Sequence, residues 1–359
     1  MKDLLLYVAA AGFESARRLA DPGAPAALRA LHGHSFLAST RGAAPAAFAG
    51  GQIDAARAQL AAAVAPLDYQ LLNDHLADPT EENLARWIRA RLPADGLEAV
   101  AVQATPGQGV ELDAQGALQL WRRYTFEAAH QLPRVAPGHK CGRMHGHGFA
   151  VQLQLQSRSG ATLADAALLD DAWRPLQRQL QHACLNDIAG LENPTSENIA
   201  QWLWARLQPR LPALRWVTVH ETATCGAHFD GREYRIWKDL GFDSAIRLQQ
   251  APPGDARGRV HGHSYRLRLH LVAPLDTVRG WTIDFGDVKA LFAPIFDRLD
   301  HHPLHELPDV AQGGAAALLH WVRAQAQPEL PQLERIDLYE TAGCGAQLHW
   351  GAVPAALPV

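Results

Sequence analysis

One pattern dominates the 359-residue chain: it repeats itself three times. His-Gly-His occurs at His32–His34, His145–His147 and His261–His263, spaced by 113 and 116 residues. Upstream, FESARRL from Phe13, FEAAHQL from Phe126 and FDSAIRL from Phe242 keep the same spacings. Downstream, ARWIRARL around Trp87, AQWLWARL around Trp202 and LHWVRAQA around Trp321 follow at intervals of 115 and 119. Three landmarks agreeing in order in three copies do not arise by chance. The period is far longer than a solenoid unit, so each copy is expected to be a small domain. The expected boundaries are 1–117, 118–236 and 237–359.

The middle copy shows the internal plan. LQLWRRYTFEAAH and FAVQLQLQS read as strands, from their β-branched and aromatic content and partial alternation. LDDAWRPLQRQLQHACL reads as an amphipathic helix. PTSENIAQWLWARLQ reads as a second, with Pro194 and Thr195 or Ser196 near its cap and Glu197 in its first turn. LRWVTVHET and AHFDGREYRIW close the unit as strands. The expected fold class is therefore α+β, three tandem β-β-α-α-β-β repeats with the helices covering one sheet face. Joining the three sheets edge to edge into a closed antiparallel barrel of twelve strands would remove their exposed edges.

Composition excludes several functions. A net charge of −4 argues against a basic nucleic-acid binder. No apolar run approaches the roughly 20 residues of a membrane helix. The N-terminal MKDLLLYVAAAGFESA has some features of a secretory leader, but Asp3 and its place in the repeat make it the first copy's opening strand. Four cysteines do not form a disulfide framework. The 18 histidines are the compositional excess, and imidazole is the commonest metal ligand.

The copies differ where chemistry is expected. Residues i and i+2 of a strand face one side, so His145 and His147 can point at one ion. His130 ends the preceding strand and comes alongside if the two strands pair. Three neutral imidazoles with an open fourth position describe a catalytic zinc site. The counterparts of His130 are Arg17 and Ile246, and neither completes such a site. Cys141 lies four residues before His145, where the outer copies have Leu28 and Arg257. Beside Lys140 and a metal, its thiol is expected to have a lowered pKa and to act as a thiolate base. Cys184, Cys225 and Cys344 read as inert buried thiols.

FEAAH followed by HKCGRMHGH resembles the metal and nucleophile motif of the 6-pyruvoyl-tetrahydropterin synthase family. The short gap between Cys141 and His145 is closest to its 6-carboxytetrahydropterin synthase branch. NPTSEN and HET downstream match as well. The resemblance covers about residues 118–236 fully and the outer copies in degenerate form. It implies the tunnelling fold, in which trimers form a twelve-stranded barrel, so one chain is similar to a fused trimer. It also implies a cytoplasmic enzyme acting on a small pterin triphosphate, without nucleic acid or membrane partners. A homodimer would correspond to the family's stacked trimers.

The resemblance further implies an Asp-His pair after the first helix and a pterin-holding glutamate near the third strand. The pair is Asp68–Tyr69, Gln181–His182 and Asp300–His301 in turn, and the glutamate position is Ala104, Glu221 and Glu340. The middle copy has the metal ligands His130, His145 and His147 with Cys141, but not the aspartate. The third keeps Asp300, His301 and Glu340. Family sites lie between subunits, so one composite site per chain is expected, with Cys141 and zinc facing Asp300 and His301. The rival arrangement uses His182 within the middle copy. Glu221 or Glu340 would accept the two parallel N–H donors of the amino-pyrimidine edge. His139, Lys140 and Arg143 are candidates for triphosphate contact.

The activity implied is that of a zinc-dependent lyase of the queuosine and 7-deazapurine route. It would convert 7,8-dihydroneopterin triphosphate with side-chain carbon–carbon cleavage. The alternatives are triphosphate elimination to 6-pyruvoyl-tetrahydropterin, a non-catalytic pterin- or purine-binding scaffold, and another reaction on a related heterocycle.

Overall fold

A computed structural model of the chain describes residues 3–22, 24–157, 163–308, 310 and 313–351. The first repeat contains β1 (Leu4–Arg17), α1 (Ala26–Arg29), β2 (His32–Gly42) and α2 (Gln52–Val64). It continues with the two-residue β3 (Gln70–Leu71), α3 (Glu81–Arg89), β4 (Leu97–Thr105) and β5 (Gln108–Asp113). The second contains β6 (Leu118–His130), β7 (His145–Ser157), α4 (Leu163–Leu180), α5 (Ser196–Leu207), β8 (Leu214–Thr222) and β9 (Cys225–Phe229). The third contains β10 (Tyr234–Ile246), β11 (His261–Val272), α6 (Phe285–Leu299), α7 (Gly314–Ala326), β12 (Leu333–Thr341) and β13 (Cys344–His349).

One strand expected from the sequence is in fact two. AHFDGREYRIW turns at Asp230, whose carboxylate accepts the Arg232 and Glu233 N–H groups at 3.0 and 2.9 Å. Gly231 takes φ +88° there, a value that costs glycine no steric energy. Tyr234 therefore starts the third repeat's first strand, and the pairing of Tyr234 with Phe229 makes the junction a hairpin.

The strands hydrogen-bond in the order β13-β12-β11-β10-β9-β8-β7-β6-β5-β4-β2-β1-β3, and β13 returns to pair with β1. That last pairing runs antiparallel from Leu4–His349 to Val8–Gly345. Setting aside the short parallel β3, twelve strands close an antiparallel α+β barrel, and closure removes the edges that separate sheets would expose. The helices lie against the strands, α3 on β4 and β5, α5 on β8 and β9, and α7 on β12 and β13.

The chain forms two compact units. The first unit takes residues 1–118, 239–269 and 289–355; the second takes 119–238 and 270–288. Residues 270–288 belong to the third repeat by sequence, yet they pack with the second.

A ring stack recurs behind each His-Gly-His. Phe13 lies on Phe36 at 5.0 Å between centroids, Phe126 on Phe149 at 5.0 Å, and Phe242 on Tyr265 at 4.9 Å. Offset stacks of this kind add about 0.5–1.5 kcal/mol beyond burial. In the second unit, Val151 and Leu153 join Trp173, Leu203 and Val217 in the core, while Gln152 and Gln154 of the same strand are buried on its other face. The strand is thus covered on both sides, and the histidines at its start sit on a rigid support. Thr195 caps α5 by accepting the Asn198 N–H at 3.2 Å, as Thr80 does for Asn83 in α3.

Candidate metal centre and catalytic site

His130 ends β6, and His145 and His147 open β7. Their ring centroids lie 4.5, 5.1 and 5.0 Å apart. One nitrogen of each falls within 4.8 Å of the other two, the only such cluster among the described residues. Gly146 lets the strands close: a Cβ there would stand 3.2 Å from the Ala128 carbonyl oxygen. Gly33 and Gly262 face the same carbonyl position at 3.4 and 3.5 Å. The close approach thus restricts the side chain at Gly146, while at Gly33 and Gly262 a Cβ would make ordinary contact.

The imidazoles are oriented for ligation. Nδ1 of His130 is 3.0 Å from the Pro194 carbonyl oxygen, and Nδ1 of His145 is 2.7 Å from that of Arg143. Donation to those carbonyls leaves each Nε2 with its lone pair facing inward. Nε2 of His130 and of His147 are buried and have no hydrogen-bond partner. Burial of an unpaired polar atom is costly, so such atoms call for a partner. Burial also holds both side chains below the usual histidine pKa, in the neutral form a metal needs. The residues fit a tetrahedral cation that keeps one open position.

Cys141 lies on the turn Lys140–Gly142 between these strands, half-buried. Its backbone N–H donates to His139 Nδ1 at 3.2 Å. The expected lowering of its pKa is not what the metal-free chain shows. Burial first, then the Glu221 and Asp284 carboxylates, raise the thiol above its ordinary value, and Lys140 opposes them only in part. Thiolate formation there needs a further positive charge. Glu221, at the end of β8, has its carboxylate 3.6 Å from His147 Nε2 and accepts the Ser196 hydroxyl at 2.6 Å. Glu221 thus joins the metal centre, whereas Glu340 lies in the first unit among His261, His263 and Arg257.

Sequence reasoning missed a contribution from residues 276–284. Trp281 lies 6.2 Å from the His139 ring, and Asp284 is 3.5 Å from His139 Nε2. His139 is therefore engaged between Cys141 and Asp284. Asn193 donates to the Arg279 carbonyl at 2.6 Å, and Thr195 to that of Gly280 at 2.5 Å. Glu197 accepts both the N–H and the hydroxyl of Thr282, at 2.8 and 3.0 Å. Burial pushes the Glu197 carboxyl up to about 7 against those bonds. A signal was present: GWTID at 280–284 repeats GGQID at 50–54, with Gly280 and Gly50 both at positive φ.

The Asp-His positions have a shared backbone role. Glu14, Glu127 and Asp243 donate their N–H groups to Asp68, Gln181 and Asp300, at 2.8, 3.3 and 3.0 Å. The next residue, Tyr69, His182 or His301, takes φ between 53° and 57°. Non-glycine residues in that region store strain that concentrates at functional sites. Gln181 thus preserves the helix-end bond but not the charge. Asp300 Oδ2 meets His301 Nδ1 at 3.0 Å, while His182 pairs instead with Glu127 at 2.9 Å. His301 is 76 % exposed, beside an open pocket lined by Asp243 and His263. Cys141 belongs to the second unit, and Asp300 and His301 to the first.

Position 130 is resolved differently in the outer repeats. Arg17 donates to the Pro79 carbonyl at 2.8 Å, the counterpart of the Pro194 carbonyl that holds His130. It also pairs with Glu81 at 2.9 Å, and is 2 % exposed. A fixed guanidinium thus stands beside His32 and His34, where a metal would need a third neutral donor. Its charge also helps hold His34 below the usual pKa, after burial.

Repeated β-β-α-α-β-β units bearing a tri-imidazole centre at a strand start define a class of enzymes of pterin metabolism. Segments 7–115, 119–232 and 235–349 each match 6-pyruvoyl tetrahydropterin synthase, and the chain belongs to that family. It is 39 % identical over 119 residues to a Synechocystis 6-carboxy-5,6,7,8-tetrahydropterin synthase, covering 31 % of this chain and 91 % of the relative. It is 30 % identical over 94 residues to a Pyrococcus furiosus dihydroneopterin monophosphate aldolase, covering 25 % of this chain and 79 % of the relative. A solved Caenorhabditis elegans 6-pyruvoyl tetrahydropterin synthase is 23 % identical, with a TM-score of 0.27, over 30 % of this chain and 90 % of that one.

Proposed function

We propose that the chain is a zinc-dependent 6-carboxytetrahydropterin synthase-like lyase with one catalytic centre, in the second repeat. The observation that carries this reading is the set of three imidazoles, two with buried and unpartnered Nε2 atoms, beside Cys141 and Glu221. His130, His145 and His147 would hold the ion. A bound Zn²⁺ supplies a Lewis acid for the substrate's side-chain oxygens and a positive field that favours the Cys141 thiolate.

The substrate would be 7,8-dihydroneopterin triphosphate. Glu221 accepts the two N–H donors of the amino-pyrimidine edge and fixes the ring. Cys141 takes a proton from the side chain as general base. Carbon–carbon cleavage then releases acetaldehyde and triphosphate. The products fit a role in queuosine and 7-deazapurine synthesis. The carboxytetrahydropterin synthase name of a 39 % identical relative supports this over triphosphate elimination alone.

The exposure of His301 supports a homodimer, in which a second chain covers the open pocket beside it. The deciding experiment joins metal analysis to turnover with mass-spectrometric detection of products. Wild type is expected to release acetaldehyde, and Cys141→Ala to lose turnover while keeping its metal. An acetaldehyde-free reaction excludes cleavage of this kind. His301→Ala tests the expectation for the Asp300–His301 pair: a loss of turnover with metal retained would bring the pair into the chemistry, and unchanged turnover would leave it out.

A further inference from the structure

The turn that carries Cys141 recurs in the third repeat. Lys140–Gly142 and Ala256–Gly258 have the same form, and the backbone bonds around them correspond one to one. Leu132 N–H donates to the Cys141 carbonyl at 2.8 Å, and Leu248 N–H to that of Arg257 at 3.0 Å. Gly142 and Gly258 N–H each donate at 3.1 Å to the carbonyl of the residue that caps the turn. That cap is His139 in one copy and Asp255 in the other, with φ, ψ of −62°, 134° and −70°, 129°. Each cap's side chain accepts the N–H of the residue at the thiol position, Cys141 at 3.2 Å and Arg257 at 2.9 Å. An imidazole and a carboxylate therefore do the same backbone work.

The surrounding charges explain the exchange. In the third repeat, Arg257 bridges the cap to a second carboxylate. It bonds Asp255 at 2.9 and 2.6 Å and Asp54 at 2.7 Å. In the second repeat, Asp284 stands in GWTID where Asp54 stands in GGQID, and Cys141 takes the place of Arg257. A thiol supplies no cation. An aspartate cap would there face Asp284 with nothing between them to neutralise either. It would also add a negative charge beside a thiol that burial, Glu221 and Asp284 already hold above its ordinary value, with Lys140 opposing them.

His139 avoids both costs. Cys141 N–H donates to its Nδ1, so Nδ1 is the bare nitrogen and Nε2 carries the hydrogen. Nε2 faces Asp284 Oδ2 at 3.5 Å. Asp284 is itself anchored at the start of α6, where its Oδ1 accepts the Gly286 and Asp287 N–H groups at 2.6 and 3.2 Å. The imidazole thus caps the turn, turns the positive end of an N–H to the carboxylate, and brings no charge of its own.

We propose that His139, oriented by Asp284, is a positioning residue for the reaction: a neutral cap that holds the Cys141 thiol in place without setting a further negative charge beside it. The inference rests on the reading of Cys141 as general base. His139 is not a proton carrier in it, since a proton on Nδ1 would break the bond from Cys141 N–H.

The test is the pH dependence of Cys141 alkylation by iodoacetamide in the purified full-length chain, followed at the Cys141 peptide by mass spectrometry. The thiolate is the reacting form, so alkylation reports the thiol without turnover. His139→Asp keeps the cap in the form that the third repeat uses. Its alkylation at pH 7 is expected to be about 10-fold slower, with the midpoint moved up by about one pH unit, as a like charge close by demands. Its kcat should fall while KM and metal content stay the same. Adding Asp284→Asn should recover most of the alkylation rate. His139→Asn, a neutral cap, should alkylate like wild type. An unchanged profile in His139→Asp, equal slowing in His139→Asn, or no recovery with Asp284→Asn would overturn the proposal. Full turnover in Cys141→Ala would instead remove the catalytic reading, a result separate from the alkylation profiles.

Discussion

The first and second repeats use one strand pair for opposite purposes. At the end of β6, His130 donates its Nδ1–H to the Pro194 carbonyl oxygen and leaves Nε2 buried and unpaired. At the end of β1, Arg17 reaches the equivalent carbonyl of Pro79 and meets Glu81. The first arrangement leaves an unpaired inward-facing nitrogen. The second puts a permanent charge with its own counter-ion at the third-ligand position, beside His32 and His34, whose Nε2 atoms are likewise buried without a partner. One substitution therefore separates a site that needs a ligand from one that stabilises the fold, while the surrounding ring stack and glycine contact stay the same.

The comparison can be broken at several points. Removing the thiol should have the largest effect: Cys141→Ala is expected to lower turnover about 10²–10⁴-fold, the usual share of a general base. Metal content measured on the same sample should not change. A loss of only two- to threefold would take Cys141 out of the chemistry.

Arg17→Met probes the closed counterpart. It leaves Glu81 buried without its cation, so a stability loss of about 3–5 kcal/mol in denaturant titration is expected, with turnover per folded chain unchanged. Arg17 and its neighbours hold the Glu81 carboxyl below its ordinary value of 4.5. A depressed carboxylate contributes stability above its unfolded pKa and loses it as pH falls through the folded one. The contribution should therefore disappear below about pH 4.5, and Arg17→Met should flatten that acid limb.

Glu197 has the opposite sign. Its pKa is raised from 4.5 to about 7 by burial. The folded chain then holds the proton more tightly, so stability is full below the unfolded pKa and declines as pH rises through about 7. Glu197→Gln should remove that decline, worth up to about 3 kcal/mol. Thermal melts from pH 4 to 8 that keep the wild-type slope would contradict the assignment. The smallest effect expected is Thr195→Ala. It loses the α5 cap and the bond to Gly280, about 1–2 kcal/mol, and a slight rise in KM should accompany it if residues 280–284 line the pocket.

Much of this was legible in the sequence because the signals were periodic. The three repeats, the strand–strand–helix–helix–strand–strand order and the inward pair His145 and His147 all follow from spacing. The convergence of His130 required only that adjacent strands pair. What escaped notice carries only a faint signal, the echo of GGQID (50–54) in GWTID (280–284). Thr282 meets Glu197 across 85 residues, and no local pattern marks that contact. The role of Arg17 was hidden because an arginine at a metal-ligand position reads as simple loss. The expected lowering of the Cys141 pKa considered Lys140 and a metal but not the burial and the Glu221 and Asp284 carboxylates that the fold brings up. The continuous strand expected across Asp230 failed because the side-chain turn there outweighs the flanking apolar residues.

The central claim is that one repeat of three holds a metal. Zinc stoichiometry by elemental analysis of the purified chain and of three single variants tests it most directly. The account predicts one zinc per chain, lost in His130→Ala and retained in His34→Ala and His263→Ala. No zinc, three zincs, or a loss on changing His34 or His263 would contradict it.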